Sequence, residues 1–427
     1  MKVEVPMKDV KDMKDMKADA GRIQDWLEHI NSFNSTPDFG TTRVLFTEPE
    51  VAARDYVKSE MRALGMTVKE DAIGNIFGIY EGTDPTLAPV WTGSHIDTVL
   101  NAGMFDGMSG VVAGLEAVRM IRMAGVRTSR SIVVIVYTSE EPTRFKLGCL
   151  GSRAMAGKLG AADAKALRDD DGKTLYDVLD GLGFPVADFD DVPVKKGAVH
   201  GAVELHIDQT GVLERDRKTI GIVKTICAPS VFDVVVTGRQ SHAGGTSMDE
   251  RRDAYMAASE MALMLEHLGR TSTSEYTTVT VGRVDVIPNA VNVIPGCVKF
   301  SIDIRDCDFD KKNELIGRMK KALSEIAERR GVTYELTEYN NDHPMKCEPA
   351  ITQKIEAACR AQGISYEYTI SGAFHDSMLV GEFAPVAMIF VPSKDGISHS
   401  PEEWTDYDDL AAGTDVLADT LIAMANE

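Results

Sequence analysis

Apolar residues near the start of the chain recur at two different periods. Ile23, Trp26, Leu27 and Ile30 stand at helical spacing and predict a helix over residues 19–33. Val51, Tyr56, Val57, Met61 and Leu64 predict a second over residues 48–65, ended by Gly65. Strand-like runs follow at 67–71, 75–80 and 90–94, then a helix at 110–123 and a strand at 131–138. Strands alternating with amphipathic helices predict an α/β sheet.

The texture changes near residue 215. Residues 219–237 are strand-rich, 249–268 read as a long helix, 277–284 and 298–305 as alternating strands, and 311–330 as a second helix. This strand-helix-strand-strand-helix block predicts a compact α+β module. Residues 334–427 return to the α/β texture, with a strand at 387–391 and a final helix at 406–424. The economical organisation is one α/β domain built from residues 1–214 and 334–427, interrupted by an inserted domain of residues 215–333. No internal repeat or low-complexity segment is visible.

Composition narrows the function classes. In 427 residues, 46 Lys and Arg against 66 Asp and Glu leave a net charge of −20. Such a chain repels phosphate backbones, which argues against nucleic acid as a partner. The surplus carboxylates serve solubility or bind cations. No apolar run reaches the ~18 residues of a membrane span. Residues 1–17 alternate Lys, Asp and Met without an apolar stretch. They read as a frayed or helical leader and not as a secretory signal. The six cysteines are scattered, with no Cys-x-x-Cys pair. They are expected to be mostly core thiols in a reducing cytoplasm, without a disulfide framework or a Cys-based zinc site.

Five segments concentrate His, Asp and Glu. Gly93-Ser94-His95-Ile96-Asp97-Thr98 follows the apolar Val90-Trp91, which places His95 at the C-terminal end of a strand, where ligands of open α/β sheets gather. Asp97, two residues on, projects to the same face and suits a carboxylate that fixes a metal-binding imidazole. Asp106 stands between glycines ahead of a helix; it is an N-cap or a bridging ligand. Glu140 and Glu141 are adjacent carboxylates at the end of a β-branched strand. They repel unless cations sit there, and they point apart, which allows one to bind metal and the other to act as a base. Glu204-Leu205-His206-Ile207-Asp208-Gln209 and Ile397-Ser398-His399-Ser400-Pro401-Glu402-Glu403 complete the set. Each alone also reads as a core or loop histidine. Together they supply the ligands of a zinc-type site, and two metals sharing one carboxylate explain the mixture of Asp and Glu.

These segments resemble the aminoacylase-type di-metal metallopeptidase superfamily. Further pieces are similar to its branch of N-carbamoyl-L-amino-acid amidohydrolases, allantoate amidohydrolases and β-ureidopropionases. They are Arg144-Phe145, Leu150-Gly151-Ser152-Arg153, Ser241-His242-Ala243-Gly244, the run from Met248 to Ala254, the run from Pro288 to Gly296, and Asp303-Ile304-Arg305. The resemblance spans about residue 20 to the C-terminus. It implies a mixed-sheet catalytic domain sandwiched by helices, with an inserted α+β (ferredoxin-like) domain that serves as dimerisation unit or lid. It implies two divalent metal ions, zinc or else manganese, cobalt or nickel. His95 and His206 would bind the first, Glu141 and His399 the second, and Asp106 would bridge them. Glu140 would be the general base acting on a metal-bridging water, and Asp97 would orient His95. His242 would polarise the scissile carbonyl, across the interface of a homodimer. Asn292 and Arg305 would hold the substrate carboxylate, Gln209 would contact the ureido group, and His375 would line the site.

Four departures from the family pattern bear on the substrate, one of them Pro142, which follows Glu140-Glu141 where Gly or Glu is more usual. Asp208 and Thr210 stand where Glu and Gly are common. Phe374 occupies a position often held by Gly and would reshape the pocket. The stretch from Ile226 to Ser230 lacks an Arg or Gln often found near it. The expected activity is hydrolysis of an N-carbamoyl amino acid or related ureido acid to the amino acid, ammonia and carbon dioxide. The competing expectations are cleavage of an N-acyl or peptide bond by the same machinery, and non-catalytic binding of a small acid. A missing ligand or base would favour the last, and none is missing.

Overall fold

The computed structural model describes residues 17–274 and 276–427. The Lys-, Asp- and Met-rich leader lies outside them except for Lys17, whose Nζ donates to Gln362 and Asp415. The strands, in chain order, are β1 (Thr67–Glu70), β2 (Ile76–Tyr80), β3 (Val90–His95), β4 (Ile132–Tyr137), β5 (Gly201–Ile207), β6 (Ile220–Ile226), β7 (Ala228–Thr237), β8 (Ser241–His242), β9 (Thr278–Ile287), β10 (Val293–Ile294), β11 (Cys297–Asp306), β12 (Thr333–Asn341), β13 (Met345–Lys346), β14 (Tyr366–Ser371) and β15 (Val386–Val391).

Two compact units emerge. The first comprises the described residues up to Lys224, with Lys346–Ser371 and His375–Glu427. Its sheet runs β1-β2-β4-β3-β5-β15-β6-β13, with β14 also pairing β6. The centre is parallel (β4-β3-β5-β15), while the β1–β2, β2–β4 and β15–β6 pairs are antiparallel. The central strands are buried along their whole length, which is why Ile132–Tyr137 and Val386–Val391 read as continuous apolar runs. The helices Met108–Met123 and Tyr407–Ala425 pack on each other and on this sheet, and both bury most of their surface. Gly93 has φ +136°, and a Cβ there would lie 1.9 Å from the Ile135 carbonyl oxygen, so β3 and β4 can pair at that point only through glycine. Because β3, β4, β5 and β15 are parallel, their C-terminal ends share one edge of the sheet.

The second unit comprises Thr225–Met345 and Gly372–Phe374. It is an antiparallel sheet, β12-β7-β11-β9, with a separate ribbon β10-β8. The burial of β7 and β11 alternates with period two. The buried set, including Phe232, Val234, Phe300 and Ile302, meets Met261 and Leu265 of helix Ala254–Arg270 and Met319 and Leu323 of helix Phe309–Arg330. In chain order this is strand, helix, two strands, helix, strand.

The interruption falls later than the pattern predicts, at 224/225 and 345/346 rather than 214/215 and 333/334. The strand-rich run from 219 divides between two sheets: β6 pairs β15, while β7 pairs β11 and β12. At the far end β12 stays with β7. The cysteine expectation also needs correction. Cys149, Cys347 and Cys359 are buried free thiols, but Cys227 and Cys307, 80 residues apart, form a disulfide. The β7–β11 register pairs Ala228 with Asp306, so the residues just beyond face each other. That proximity comes from tertiary pairing, which cysteine spacing does not display. No helix among the described residues is long and apolar enough to cross a membrane.

Candidate metal centre

The shared edge of the first sheet carries the polar cluster. His95 is the last residue of β3, His206 the penultimate residue of β5, and Glu140 and Glu141 follow β4. His399 lies on the loop after β15, in a left-handed conformation with φ +57°. Asp106 lies just ahead of helix Met108–Met123. The residue between, Gly107, has φ +68°, and a Cβ on it would stand 2.4 Å from the His95 ring. Glycine there lets the backbone pass against the imidazole.

Asp106 divides its two oxygens. Oδ1 lies 3.5 Å from His95 Nε2 and 3.2 Å from His206 Nε2. Oδ2 lies 3.5 Å from His399 Nε2, which is itself 3.0 Å from Glu141 Oε1. Two donor triads result, His95/Asp106/His206 and Asp106/Glu141/His399, each with ligand atoms within 4.8 Å of one another. Nitrogen and carboxylate oxygen at such spacing suit divalent cations, and a carboxylate common to both triads suits a pair. The other ring nitrogens are fixed by main-chain carbonyls: His95 Nδ1 lies 3.0 Å from the Asp97 oxygen, and His206 Nδ1 3.1 Å from the Ile207 oxygen. This turns each Nε2 toward the cluster, where that of His206 also accepts the Gly107 N–H at 3.3 Å.

The carboxyl of Asp97 has a different principal task from the one its spacing suggests. Its oxygens accept the backbone N–H groups of Glu140 (3.2 Å) and Glu141 (3.1 Å), while Oδ1 stays 3.7 Å from His95 Nδ1. Asp97 therefore sets the acidic pair in place, and its own main-chain carbonyl, rather than its carboxylate, makes the closer contact with His95. Glu140 points Oε2 toward His95 Nε2 at 3.8 Å. Its side chain is 11% exposed, so the group is reachable yet largely desolvated.

The charges explain each other. Burial alone would lower His95, but the hydrogen bond to Asp106 and the charges of Glu140, Asp97 and Asp106 lift it well above its ordinary value. His206 follows the same balance through Asp106. The Glu141 hydrogen bond holds His399 at about 9 against desolvation. Burial would raise Asp106, but His206 and His95 hold it well below the usual carboxylate range. Burial pushes Glu140 well up; His95 opposes this, and Glu141, Asp376 and Asp106 add to it. Carboxylates buried this close together draw positive charge toward themselves, which is the electrostatics of a cation site.

Other residues support this arrangement. Gln209 Nε2 donates to Asp106 Oδ2 at 2.8 Å, while its Oε1 is buried without a partner. His375 is buried, meets the His206 ring edge-on at 4.6 Å, and shares a hydrogen bond with Ser371 Oγ. Glu403 is a support the motif reading does not single out. Its Oε1 accepts the N–H groups of Phe105 (2.8 Å) and Asp106 (3.0 Å), and Ser398 Oγ donates to its Oε2. Burial and the Asp106 charge push it up to about 7. The only sequence signal was its place four residues after His399. Asp208 accepts from the N–H and hydroxyl of Thr210 and from the Leu213 N–H, so its side chain caps the turn that follows β5.

The remaining candidates lie in the second unit. The β8–β10 pairing sets His242 opposite Val293, beside Asn292, and both His242 and Asn292 are exposed. Gly244 N–H donates to His242 Nδ1 at 3.0 Å. Arg305, on β11, forks onto Asp303 with both contacts at 3.0 Å and donates to the Gly372 carbonyl. Ser230 is buried and donates to Asn341 Oδ1.

A profile of peptidase family M20/M25/M40 matches residues 91–423. The ureidoglycolate hydrolase of Oryza sativa subsp. japonica is 39% identical over 411 residues, which is 95% of this chain and 84% of that protein. The N-carbamoyl-L-amino-acid amidohydrolase of Pseudomonas sp. (strain NS671) is 35% identical over 412 residues, 96% of this chain and 99% of that one. Among solved structures, AtUAH in complex with glyoxylate superposes with a TM-score of 0.90 at 37% identity, over 97% of this chain and 100% of that chain.

Proposed function

Because this chain belongs to peptidase family M20/M25/M40, in a branch of amidohydrolases acting on C–N bonds other than peptide bonds, we propose that it hydrolyses a small ureido acid with two divalent cations. Zinc, manganese, cobalt and nickel all suit the donor set. The substrate class is an N-carbamoyl amino acid or its 2-hydroxy analogue, ureidoglycolate, the compounds named for the similar enzymes. One water is consumed; the amine, ammonia and carbon dioxide are released. The observation that carries this reading is the division of Asp106 between two donor triads with Glu140 alongside.

His95, His206 and Asp106 would hold one cation, and Asp106, Glu141 and His399 the other. Bound there, the pair would polarise the carbonyl and acidify water. Glu140 takes the proton of the attacking water and returns it to the departing nitrogen; its burial raises its affinity for that proton. Gln209 offers its unpartnered Oε1 to a ureido N–H. His242 hydrogen-bonds to the carbonyl oxygen as charge develops. Asn292 and Arg305 take the substrate carboxylate, and Arg305 already holds a carboxylate, that of Asp303, in the two-pronged geometry this requires. His375 backs His206 and lines the site.

The same reading includes a homodimer. β9 is an edge strand of ten residues whose outer positions are exposed, and helix Ala254–Arg270 beside it exposes Leu263. An edge unpaired among the described residues, with apolar neighbours, suits pairing with a second copy.

Ammonia release from metal-reconstituted protein tests the activity. The substrates are ureidoglycolate, N-carbamoyl-L-amino acids, N-carbamoyl-β-alanine and allantoate, with N-acetyl amino acids and dipeptides scored by free amine. Turnover of a ureido acid, abolished by chelator, is the expected result. Turnover of acyl or peptidyl substrates alone would reject it.

A further inference from the structure

Behind the acidic pair lies a buried group that the proposed reaction does not use. Cys149 caps helix Leu150–Met155 in the left-handed region, φ +56°, and is fully buried. A non-glycine residue is held there at some cost. Ser139, just before Glu140, is also left-handed, φ +54°. The two strained segments zip together through their backbones. Cys149 N–H donates to the Glu140 carbonyl at 2.9 Å, Leu150 N–H to Ser139 at 3.0 Å, and Gly151 N–H to Thr138 at 2.8 Å.

The side chains meet as well. Cys149 Sγ lies 3.8 Å from Glu140 Oε1, within reach of an S–H donor. Oε2 of the same carboxylate is the oxygen that faces His95. A second carboxylate bears on this thiol. Asp376 is fully buried, and its Oδ1 accepts from Ser152 Oγ. Burial, then the charges of Asp376 and Glu140, raise the thiol well above its ordinary value. It therefore stays an S–H donor across the working range and is not a nucleophile.

We propose that Cys149 is a positioning residue for Glu140: its thiol ties down Oε1 and so turns Oε2 toward the cation-binding cluster. The inference rests on the reading of Glu140 as the base. A carboxylate has two equivalent oxygens and a freely turning terminal torsion. Catalysis by proton transfer needs one of them held at a defined place, and small misplacements cost up to about 10²-fold in rate. The Asp97 hydrogen bonds fix the Glu140 backbone; Cys149 fixes its far end.

The test compares Cys149→Val, of similar size without a donor, with Cys149→Ser, which restores one. In Cys149→Val, kcat is expected to fall roughly tenfold or more, with KM and bound metal unchanged; Cys149→Ser is expected to recover most of it. An unchanged kcat in Cys149→Val overturns the proposal, as does a fall in metal content that accounts for the lost rate. Infrared spectroscopy of the otherwise native protein gives a readout that needs no change at Cys149. Its S–H band is expected to shift in Glu140→Gln, where an amide replaces the carboxylate acceptor; an unmoved band overturns the proposal. Glu140→Gln also separates the two readings. Near-normal turnover in that variant rejects Glu140 as the base, whereas an inactive Glu140→Gln beside an unaffected Cys149→Val rejects the positioning role alone.

Discussion

Asp106 shows how much one side chain can be asked to do. Each of its oxygens serves a different triad, and it is the only residue common to both. Asp106→Asn keeps the shape but gives up a charge and one oxygen donor. We expect it to lose at least one cation by elemental analysis and about 10³-fold in turnover, equivalent to several kcal/mol of charge stabilisation. Two retained cations would show that Asp106 is not shared. Glu140→Gln is expected to keep both cations and lose about 10²–10⁴ in kcat, checked by parallel metal and rate measurements. At this scale the sequence is informative where chemistry-bearing residues cluster within a few positions. His95, Asp106, Glu141, His206 and His399 stand out that way, and the structure brings them together. Glu403, Cys149 and Asp376 do not stand out. A glutamate, a cysteine or an aspartate acquires its role only from the burial and the partners that folding supplies.

Elements place these residues, and the placement depends on short backbone approaches. Gly107 lets the chain turn from Asp106 into helix Met108–Met123 against the face of His95. Gly107→Ala would carry a Cβ into that ring and pay for a left-handed alanine. We expect cation affinity to fall about 10–100-fold, as when a ligand's orientation is disturbed, measured by titration with zinc or manganese. Unaltered affinity would mean that the ring has room to move. The elements themselves are largely legible: the buried parallel strands announce themselves as unbroken apolar runs. Boundaries are less so. The helix read from 249 starts at Ala254 because the Asp253 side chain accepts from Tyr255 and Met256 N–H, and a cap overrides the apolar period. Helix Pro349–Gln362 escapes the pattern because its buried face is assembled from short residues, Thr352, Ala358 and Cys359, among Ile351 and Ile355.

For the whole molecule, the interrupted domain is legible from texture, but its edges are not, because apolar alternation does not say which sheet a strand will join. The homodimer is tested on β9. Val284, half exposed, replaced by Lys should block edge pairing and shift the protein from dimer to monomer in sedimentation velocity. A native protein that sediments as a monomer at tens of micromolar would reject the dimer. Cation removal should also lower the melting temperature, since a ligand at ~100 times its Kd adds about 2.7 kcal/mol to stability; a chelator that leaves Tm unchanged would show the site to be weakly held. The interruption has a further consequence, in the order of synthesis. His95, Asp106 and His206 leave the ribosome early, whereas His399 follows 399 − 206 = 193 residues later, after the whole inserted unit. Domains fold as they emerge. A nascent chain thus holds one complete donor triad while the other still lacks a member. The first unit, which needs β15 beside β5 and the helix Tyr407–Ala425 on Met108–Met123, is completed only after the inserted unit has emerged.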